Sequence, residues 1–544
     1  MSKAGGLPLS LALAVSCGLL FWLAMPPYGL WPLSIIGCAL LTAALARSRS
    51  AAQAVVLAAL SKAAYMPTSH SYLGSLAPSV MILYTANQVL VWALFGAAFH
   101  VIRTRRGTIA AVSTLPFLWV LFDWLTLRLH FLPSELVNWG GVFGHTPLRQ
   151  LAPCVGVYGV TLLAAAAGAV PVLVHLIRSN GTKRPRTALR PAGAAAGLLA
   201  LALAAGLLAL HTGGKPEAAP APLRVATVGL DRTWEKGIAA WDEISSLNPR
   251  IRGVFKDFVR LRLERIERAI PQPPPDIIVL PEDAIDVFML GDRSPQAFAR
   301  WGIENNGLLI EAYRDFARRA GAAVLVGLTT RRQGALHNTV LHIGRDGALL
   351  NRYDKVRLTA GSEYWPLAHV LLPYWKLFHA HPDFVLFDQQ YSRGSEPARL
   401  LEHGGRSFAA PVCLEAQMPG RVLAWRRAGA EFLTVLTNSS WFGDRPLIYN
   451  RQTLGLNRLL SAAYGIPIFL SGKSNYYGFI DPAGAVSVRP AFGGKEAAGV
   501  VIHELGAGAR RTAAVRLGEF TLPLSLLGLL LIPLAGGAIR PREK

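Results

Sequence analysis

The residues in this chain best suited to covalent chemistry are a cysteine, a glutamate and a lysine, each at the end of a short apolar run. Cys413 lies in Ala409-Ala410-Pro411-Val412-Cys413-Leu414-Glu415. The other cysteines, Cys17, Cys38 and Cys154, fall within strongly apolar stretches, which leaves Cys413 as the thiol available outside them. Glu282 follows Ile277-Ile278-Val279-Leu280-Pro281, and Lys355 closes Tyr353-Asp354-Lys355. A thiol near its ordinary pKa is only partly thiolate at neutral pH, so a nucleophilic cysteine needs a base or a cation beside it. Glu282 is the candidate base and Lys355 the candidate cation. The competing reading of Cys413 alone is a buried structural thiol.

Three side chains so far apart in sequence need a rigid frame. Short β-rich runs supply one: 223–230, 276–280, 322–328, 339–343, 407–414, 431–437, 466–471 and 499–504. Helix-like stretches at 254–270 and 308–320 separate them, which predicts an α/β domain over 222–505. Such a domain of roughly 280 residues is near the upper size for one core. Its polar groups sit at strand ends, where α/β folds place their sites: Glu282, Cys413 and Asn438, with Trp441 just behind. Lys355 lies in a connection, and Glu363, eight residues on, is placed to hold its ammonium.

The rest of the chain is apolar. Hydrophobic residues make up 52% of the whole and the mean hydropathy is +0.34, high for a soluble protein. Candidate spans run over 7–25, 30–46, 51–72, 80–102, 108–127, 151–177, 192–210 and 520–539, the third interrupted by Lys62. The domain plan is a seven-helix membrane part over 1–211, the α/β domain, and a last helix with a basic tail over 516–544. The net charge is +22, and much of the basic charge sits in short loops: Arg47 and Arg49; Arg103, Arg105 and Arg106; Arg178, Lys183, Arg184, Arg186 and Arg190; Arg540, Arg542 and Lys544. With the N-terminus in the cytoplasm all of these lie on one side, which explains the charge without a nucleic-acid partner and puts 222–505 on the other side. Asp123 and Arg128 near the end of the fifth span read either as an intramembrane functional group or as a pair snorkelling to the interface.

Leu280-Pro281-Glu282, Tyr353-Asp354-Lys355 and Val412-Cys413-Leu414-Glu415, in this order, resemble the Glu-Lys-Cys set of the nitrilase superfamily. Gly361-Ser362-Glu363-Tyr364, Tyr391-Ser392-Arg393-Gly394, Trp441-Phe442-Gly443-Asp444 and Ile480-Asp481-Pro482-Ala483-Gly484 narrow the resemblance to the bacterial apolipoprotein N-acyltransferases. Pro27-Tyr28-Gly29-Leu30-Trp31-Pro32 and Leu151-Ala152-Pro153 are similar to that family's early motifs. The resemblance implies about eight membrane helices, an α-β-β-α sandwich facing the periplasm from the inner membrane, and acyl transfer without a cofactor. Phospholipid would be the acyl donor and a diacylated lipoprotein the acceptor. Cys413 would carry the acyl chain as a thioester, Glu282 would be the base and Lys355 the oxyanion cation. Glu363 would orient Lys355, and Glu415 would be a second carboxylate near the thiol.

The chain departs from the family pattern at Leu414, at Gly229 and its neighbours, at Thr453, and at Ala463 and Ile466. These departures keep open a membrane-anchored amidohydrolase, with water as acceptor, or another amine acceptor. The apolar run 367–378 reads as core, loop or a lid dipping into lipid, and His379-Ala380-His381 lacks a third metal ligand.

Overall fold

The computed structural model describes residues 6–76, 78–128, 139–179, 185–211, 221–231, 249–285, 307–359, 363–364, 390–395, 399–442, 446–492, 498–506 and 509–536. Residues 133–138, Lys183, Arg184, the linker 212–220, Trp234, Gly361, Ser362, the run 367–378, His379, His381, Gly443, Asp444 and the tail 540–544 lie outside them. The chain forms two compact units. One comprises Met1–Gly213, Leu447–Tyr464 and Arg511–Lys544, and the other Gly214–Pro446 and Gly465–Arg510.

The first unit is helical: α1 (Gly6–Ala24), α2 (Pro32–Ala46), α3 (Ala51–Ser69), α4 (Leu73–Leu76), α5 (Pro78–Arg106), α6 (Thr108–Thr126), α7 (Ala152–Ser179) and α8 (Pro185–His211), with a further helix at Thr521–Ala535. Every predicted span coincides with a helix. Among the described residues five are long and apolar enough to cross a membrane: Leu7–Ala24, Val80–Arg106, Thr108–Thr126, Pro147–Ser179 and Leu189–His211. Pro32–Ala46 and Thr521–Ala535 are shorter, and at about 1.5 Å per residue a 15-residue helix covers only about 22 Å. The start of α3 is set by Ser50, whose side chain accepts from the Gln53 N–H.

Inside this unit Lys62 of α3 is buried against aromatic rings, its ammonium 4.5 Å from the Trp92 ring centre and 5.0 Å from that of Tyr65. Trp119 of α6 packs on Trp92 and Trp139 at 4.6 and 4.8 Å. Asp123 and Arg128 part company. Asp123 is buried and accepts the Trp139 backbone N–H at 3.2 Å, whereas Arg128 lies over the Trp124 ring at 3.9 Å. The helix Leu447–Tyr464 belongs here as well, its Gln452 amide donating to the Ser69 carbonyl at 2.8 Å. Gly144 and Gly455 approach so closely that a Cβ on the first would fall 1.7 Å from the carbonyl oxygen of the second.

Among its described residues the second unit carries twelve strands in one hydrogen-bonded sheet. They are β1 (Leu223–Leu230), β2 (Ile277–Val279), β3 (Ala323–Arg332), β4 (Ala335–Ile343), β5 (Leu349–Asp354), β6 (Leu401–His403), β7 (Arg406–Ala409), β8 (Phe432–Asn438), β9 (Ile468–Lys473), β10 (Tyr476–Ile480), β11 (Val486–Pro490) and β12 (Ala498–Leu505). One half runs β12-β1-β2-β3-β4-β5, the other β6-β7-β8-β9-β10-β11, and they join where Gly229 and Leu230 of β1 pair with Gly472 and Lys473 of β9. Alternation along the central strands divides their two faces. Ala226, Val228, Leu230, Ile278, Val324 and Val326 form one core with the helices Pro249–Ala269 and Gly307–Ala320. The opposite face meets the other half of the sheet: His342 of β4 lies 5.5 Å from His403 of β6 and 5.9 Å from Phe408 of β7. This is the nitrilase-like sandwich that the resemblance implied. Strands β5, β6, β10 and β11 and the helix Leu447–Tyr464 were not among the elements expected.

Candidate active site

Glu282 leaves the end of β2, and its backbone runs against a glycine. A Cβ on Gly327 of β3 would lie 2.9 Å from the Glu282 Cα, so only glycine lets the chain pass. The next residue, Asp283, takes φ +46°, and its N–H donates to the Gly327 carbonyl at 3.1 Å. The Glu282 carboxylate is buried and held at both oxygens. Oε1 accepts from the Asn338 side-chain amide at 2.7 Å, and Oε2 from the Asn438 backbone N–H at 3.1 Å.

Lys355 follows β5 and is 1% exposed. Its Nζ lies 2.9 Å from Glu363 Oε2, 3.8 Å from Glu282 Oε1 and 3.4 Å from Thr359 Oγ1. Glu363 is held in turn, accepting from Asn338 Nδ2 at 2.7 Å and from the Thr359 backbone N–H at 2.6 Å. Asn338 thus bridges the two carboxylates that flank the ammonium. The segment Tyr391–Gly394 ties the surroundings down: the Tyr391 N–H reaches the Glu363 carbonyl at 2.9 Å and the Gly394 N–H the Lys355 carbonyl at 2.8 Å.

Cys413 sits on an elbow. Val412 makes a single bridge to Leu436 of β8, Cys413 takes φ +52°, and a 3₁₀ turn begins at once, Cys413–Gln417. A non-glycine residue in the left-handed region stores of order 1–3 kcal/mol and persists only where its surroundings enforce it. Glu415 is the enforcer. It is fully buried, and it accepts from the Val412 N–H at 3.3 Å, from the Val356 and Arg357 N–H groups at 2.9 Å each, and from the Tyr353 hydroxyl at 2.9 Å. One carboxylate therefore joins the cysteine elbow to the segment that carries Lys355. With its oxygens so engaged, Glu415 braces the site and is poorly placed to take a proton.

The electrostatics follow from burial opposed by pairing. Burial pushes the Glu282 carboxyl above the usual carboxylate range; Lys355 opposes the shift, and the Glu363 charge adds to it. For Lys355 burial acts against the charge, but Glu363 and Glu282 outweigh it and raise the ammonium above its ordinary value, with Cys413 and Glu415 adding to the effect. The surroundings thus favour a charged Lys355, in electrostatic reach of both the Cys413 thiol and Glu282. Burial also raises Glu415, against the Arg357 N–H and Arg421.

Of the expected supporting residues, Glu363 and Glu415 join the cluster. Asn438 does so through its backbone N–H, while its side-chain oxygen accepts from the Ser440 hydroxyl at 2.6 Å. Trp441 is 45% exposed. Sequence reasoning missed Asn338, whose signal was a lone amide immediately before the run Thr339–Ile343, and Tyr353, whose hydroxyl meets Glu415.

Comparison with known proteins gives the family of the chain. Residues 224–505 match the carbon-nitrogen hydrolase family, 282 positions of 544. The chain belongs to that family. Residues 17–170 match the apolipoprotein N-acyltransferase N-terminal domain. The apolipoprotein N-acyltransferase of Bordetella bronchiseptica is 28% identical over 467 residues, 80% of this chain and 76% of that protein. The one from Geobacter metallireducens is 27% identical over 500 residues, 87% and 85% of the two chains. Among solved structures, an amidase from Nesterenkonia sp. AN1 is 17% identical with a TM-score of 0.34, covering 54% of this chain and 93% of that one.

Proposed function

We propose that this chain is a lipoprotein N-acyltransferase that moves an acyl chain from phospholipid to the N-terminal amine of a diacylglyceryl-cysteine through a thioester on Cys413. The observation that carries the mechanism is the buried Glu282–Lys355–Glu363 cluster in electrostatic reach of an elbow cysteine. The combination of the two matched families, with relatives bearing the acyltransferase name over most of their length, supports the substrate class.

The chemistry is a two-step exchange. Glu282 takes the Cys413 thiol proton as Sγ attacks the ester carbonyl carbon. The developing oxyanion faces Lys355, a fixed cation that needs no reorganisation. Collapse of the tetrahedral intermediate breaks the ester C–O bond, and Glu282 returns its proton to the departing lysophospholipid alkoxide. In the second step the neutral acceptor amine attacks the thioester, Glu282 takes one amine proton, and the thiolate leaves and is reprotonated. A base lifted above the carboxylate range by burial matches the proton better near neutral pH than an ordinary glutamate would. The active domain would face the periplasm from the inner membrane, an orientation supported by the basic loops.

The test supplies purified protein with phospholipid and a synthetic diacylated lipopeptide and follows the peptide by mass spectrometry. The account predicts gain of one acyl chain on the peptide amine. Release of free fatty acid with the peptide unchanged would instead favour a hydrolase.

A further inference from the structure

A second lysine lies at the site, and the catalytic scheme above leaves it unused. Lys473 ends β9 and is 1% exposed, and its Nζ donates to the carbonyl of Asp283, the residue after the base, at 3.1 Å. Three observations make this contact more than core filling. Asp283 is held at φ +46° and Ser474, next to Lys473, at φ +53°, so both chains turn sharply where they meet. Lys473 pairs in register with Asn438 of β8 and with Leu230 of β1, at the point where the two halves of the sheet join. Asn438 is the residue whose backbone N–H holds Glu282 Oε2, and the Lys473 carbonyl accepts the next N–H along, that of Ser439, at 2.8 Å.

Lys473 therefore grips the base from two sides. Its backbone fixes the strand end that presents the Asn438 N–H, and its ammonium pins the strained turn that aims the Glu282 side chain. We infer that Lys473 is a positioning residue for Glu282, setting the reach of the base toward thiol and acceptor amine by anchoring the Asp283 carbonyl; the inference rests on the acyl-transfer reading above.

The physical expectation is that a small displacement of the base slows both half-reactions, since a 1 Å misplacement can cost about 100-fold in rate. A displaced carboxylate also loosens the bonds from Asn338 and the Asn438 N–H, which favour its charged form against burial, so the pH at which the base becomes active moves upward.

The experiment uses the full-length protein in detergent or nanodiscs. It compares wild type, Lys473→Met, which keeps the stem and removes the donor, and Lys473→Arg, which keeps both donor and charge. Single-turnover thioester formation with phospholipid is followed against pH, transfer to the lipopeptide is followed separately, and the acylation-competent fraction is counted so that rates refer to folded enzyme. Lys473→Met is expected to lose roughly 10- to 100-fold in both steps, with little change in phospholipid KM and an ascending pH limb displaced to higher pH, while Lys473→Arg recovers most of the rate. Wild-type rate and pH profile per competent site in Lys473→Met would overturn the inference, because a merely structural lysine alters only the competent fraction. Failure of the wild-type protein to form any thioester would instead strike the acyl-transfer reading itself.

Discussion

Both units of this protein bury a lysine near a carboxylate, and they hold it in different ways. Lys355 sits among Glu363, Glu282 and Thr359 at 2.9 to 3.8 Å, and a single amide, Asn338, links its two carboxylates. Lys62 sits against the rings of Tyr65 and Trp92, while Asp123 acts on it through space and spends an oxygen on the Trp139 N–H. Hydrogen bonds fix direction, whereas aromatic faces attract a cation with little regard to where its protons point. A reacting centre needs direction. The residue types alone would not separate the two sites; the wiring does.

The largest effect should come from breaking the wired site at its cation. Lys355→Met leaves Glu282 and Glu363 buried together without the charge that reconciles them, and loss of one member of a buried ion pair costs about 3–5 kcal/mol. Thioester formation should fall by more than about 10³-fold, the scale on which an oxyanion stabiliser acts, and chemical denaturation should show the stability loss. An active, stable variant would mean that the two lysines are equivalent after all.

The candidate base, Glu282, comes next. Because burial raises Glu282, the folded protein favours its protonated form. Its contribution to stability is therefore lost as pH rises from the unfolded carboxylate value through the raised one, while activity appears over the same interval. Lys355, raised as well, stays charged throughout and adds no limb there. The rate of thioester formation against pH should climb with a midpoint above the ordinary carboxylate range. Glu282→Gln should leave a slow, flat residue of activity. A wild-type profile already flat from mildly acidic to neutral pH would rule out Glu282 as the titrating base.

A smaller effect tests the brace. Tyr353→Phe removes the hydroxyl that meets Glu415 and nothing else, so it should cost about 2 kcal/mol, the value of a hydrogen bond to a charged group. Its thioester rate should fall less than that of Lys355→Met. The smallest effect on chemistry belongs to the other lysine. Lys62→Met should lower stability by about 2 kcal/mol through lost cation–π contact, yet leave the rate within about two-fold of wild type. A loss as deep as that of Lys355→Met would show that the two buried lysines are not separable.

Much of this was legible before the structure. The apolar runs announced the helices, and the central strands read clearly because residues buried on both faces give largely apolar runs, Ile-Ile-Val in β2 and Phe-Leu-Thr-Val-Leu in β8. The peripheral strands were hidden for the complementary reason: β11 is Val-Ser-Val-Arg-Pro with its side chains mostly in solvent, and β5 mixes Leu, Asn, Arg and Asp. The helix Leu447–Tyr464 escaped notice because it is buried along nearly all of its length and so lacks a polar face to mark its period. Glu282, Lys355 and Cys413 stood out as charged or nucleophilic groups at the ends of apolar runs. Asn338, Tyr353 and Lys473 did not, since their roles come from partners 56, 62 and 190 residues away in the chain. The departures divide along similar lines. Gly229 has a physical reason, since a Cβ there would strike the Tyr477 ring at 2.1 Å. Leu414 is simply buried.

The central claim is that Cys413 carries the acyl chain, and the most direct test is intact-mass analysis of the purified protein after incubation with phospholipid alone, followed by peptide mapping. The account predicts a mass gain of one acyl group, located on the peptide containing Cys413, discharged by hydroxylamine and absent from Cys413→Ala. No adduct, or an adduct that persists in Cys413→Ala or maps to Cys17, Cys38 or Cys154, would contradict it.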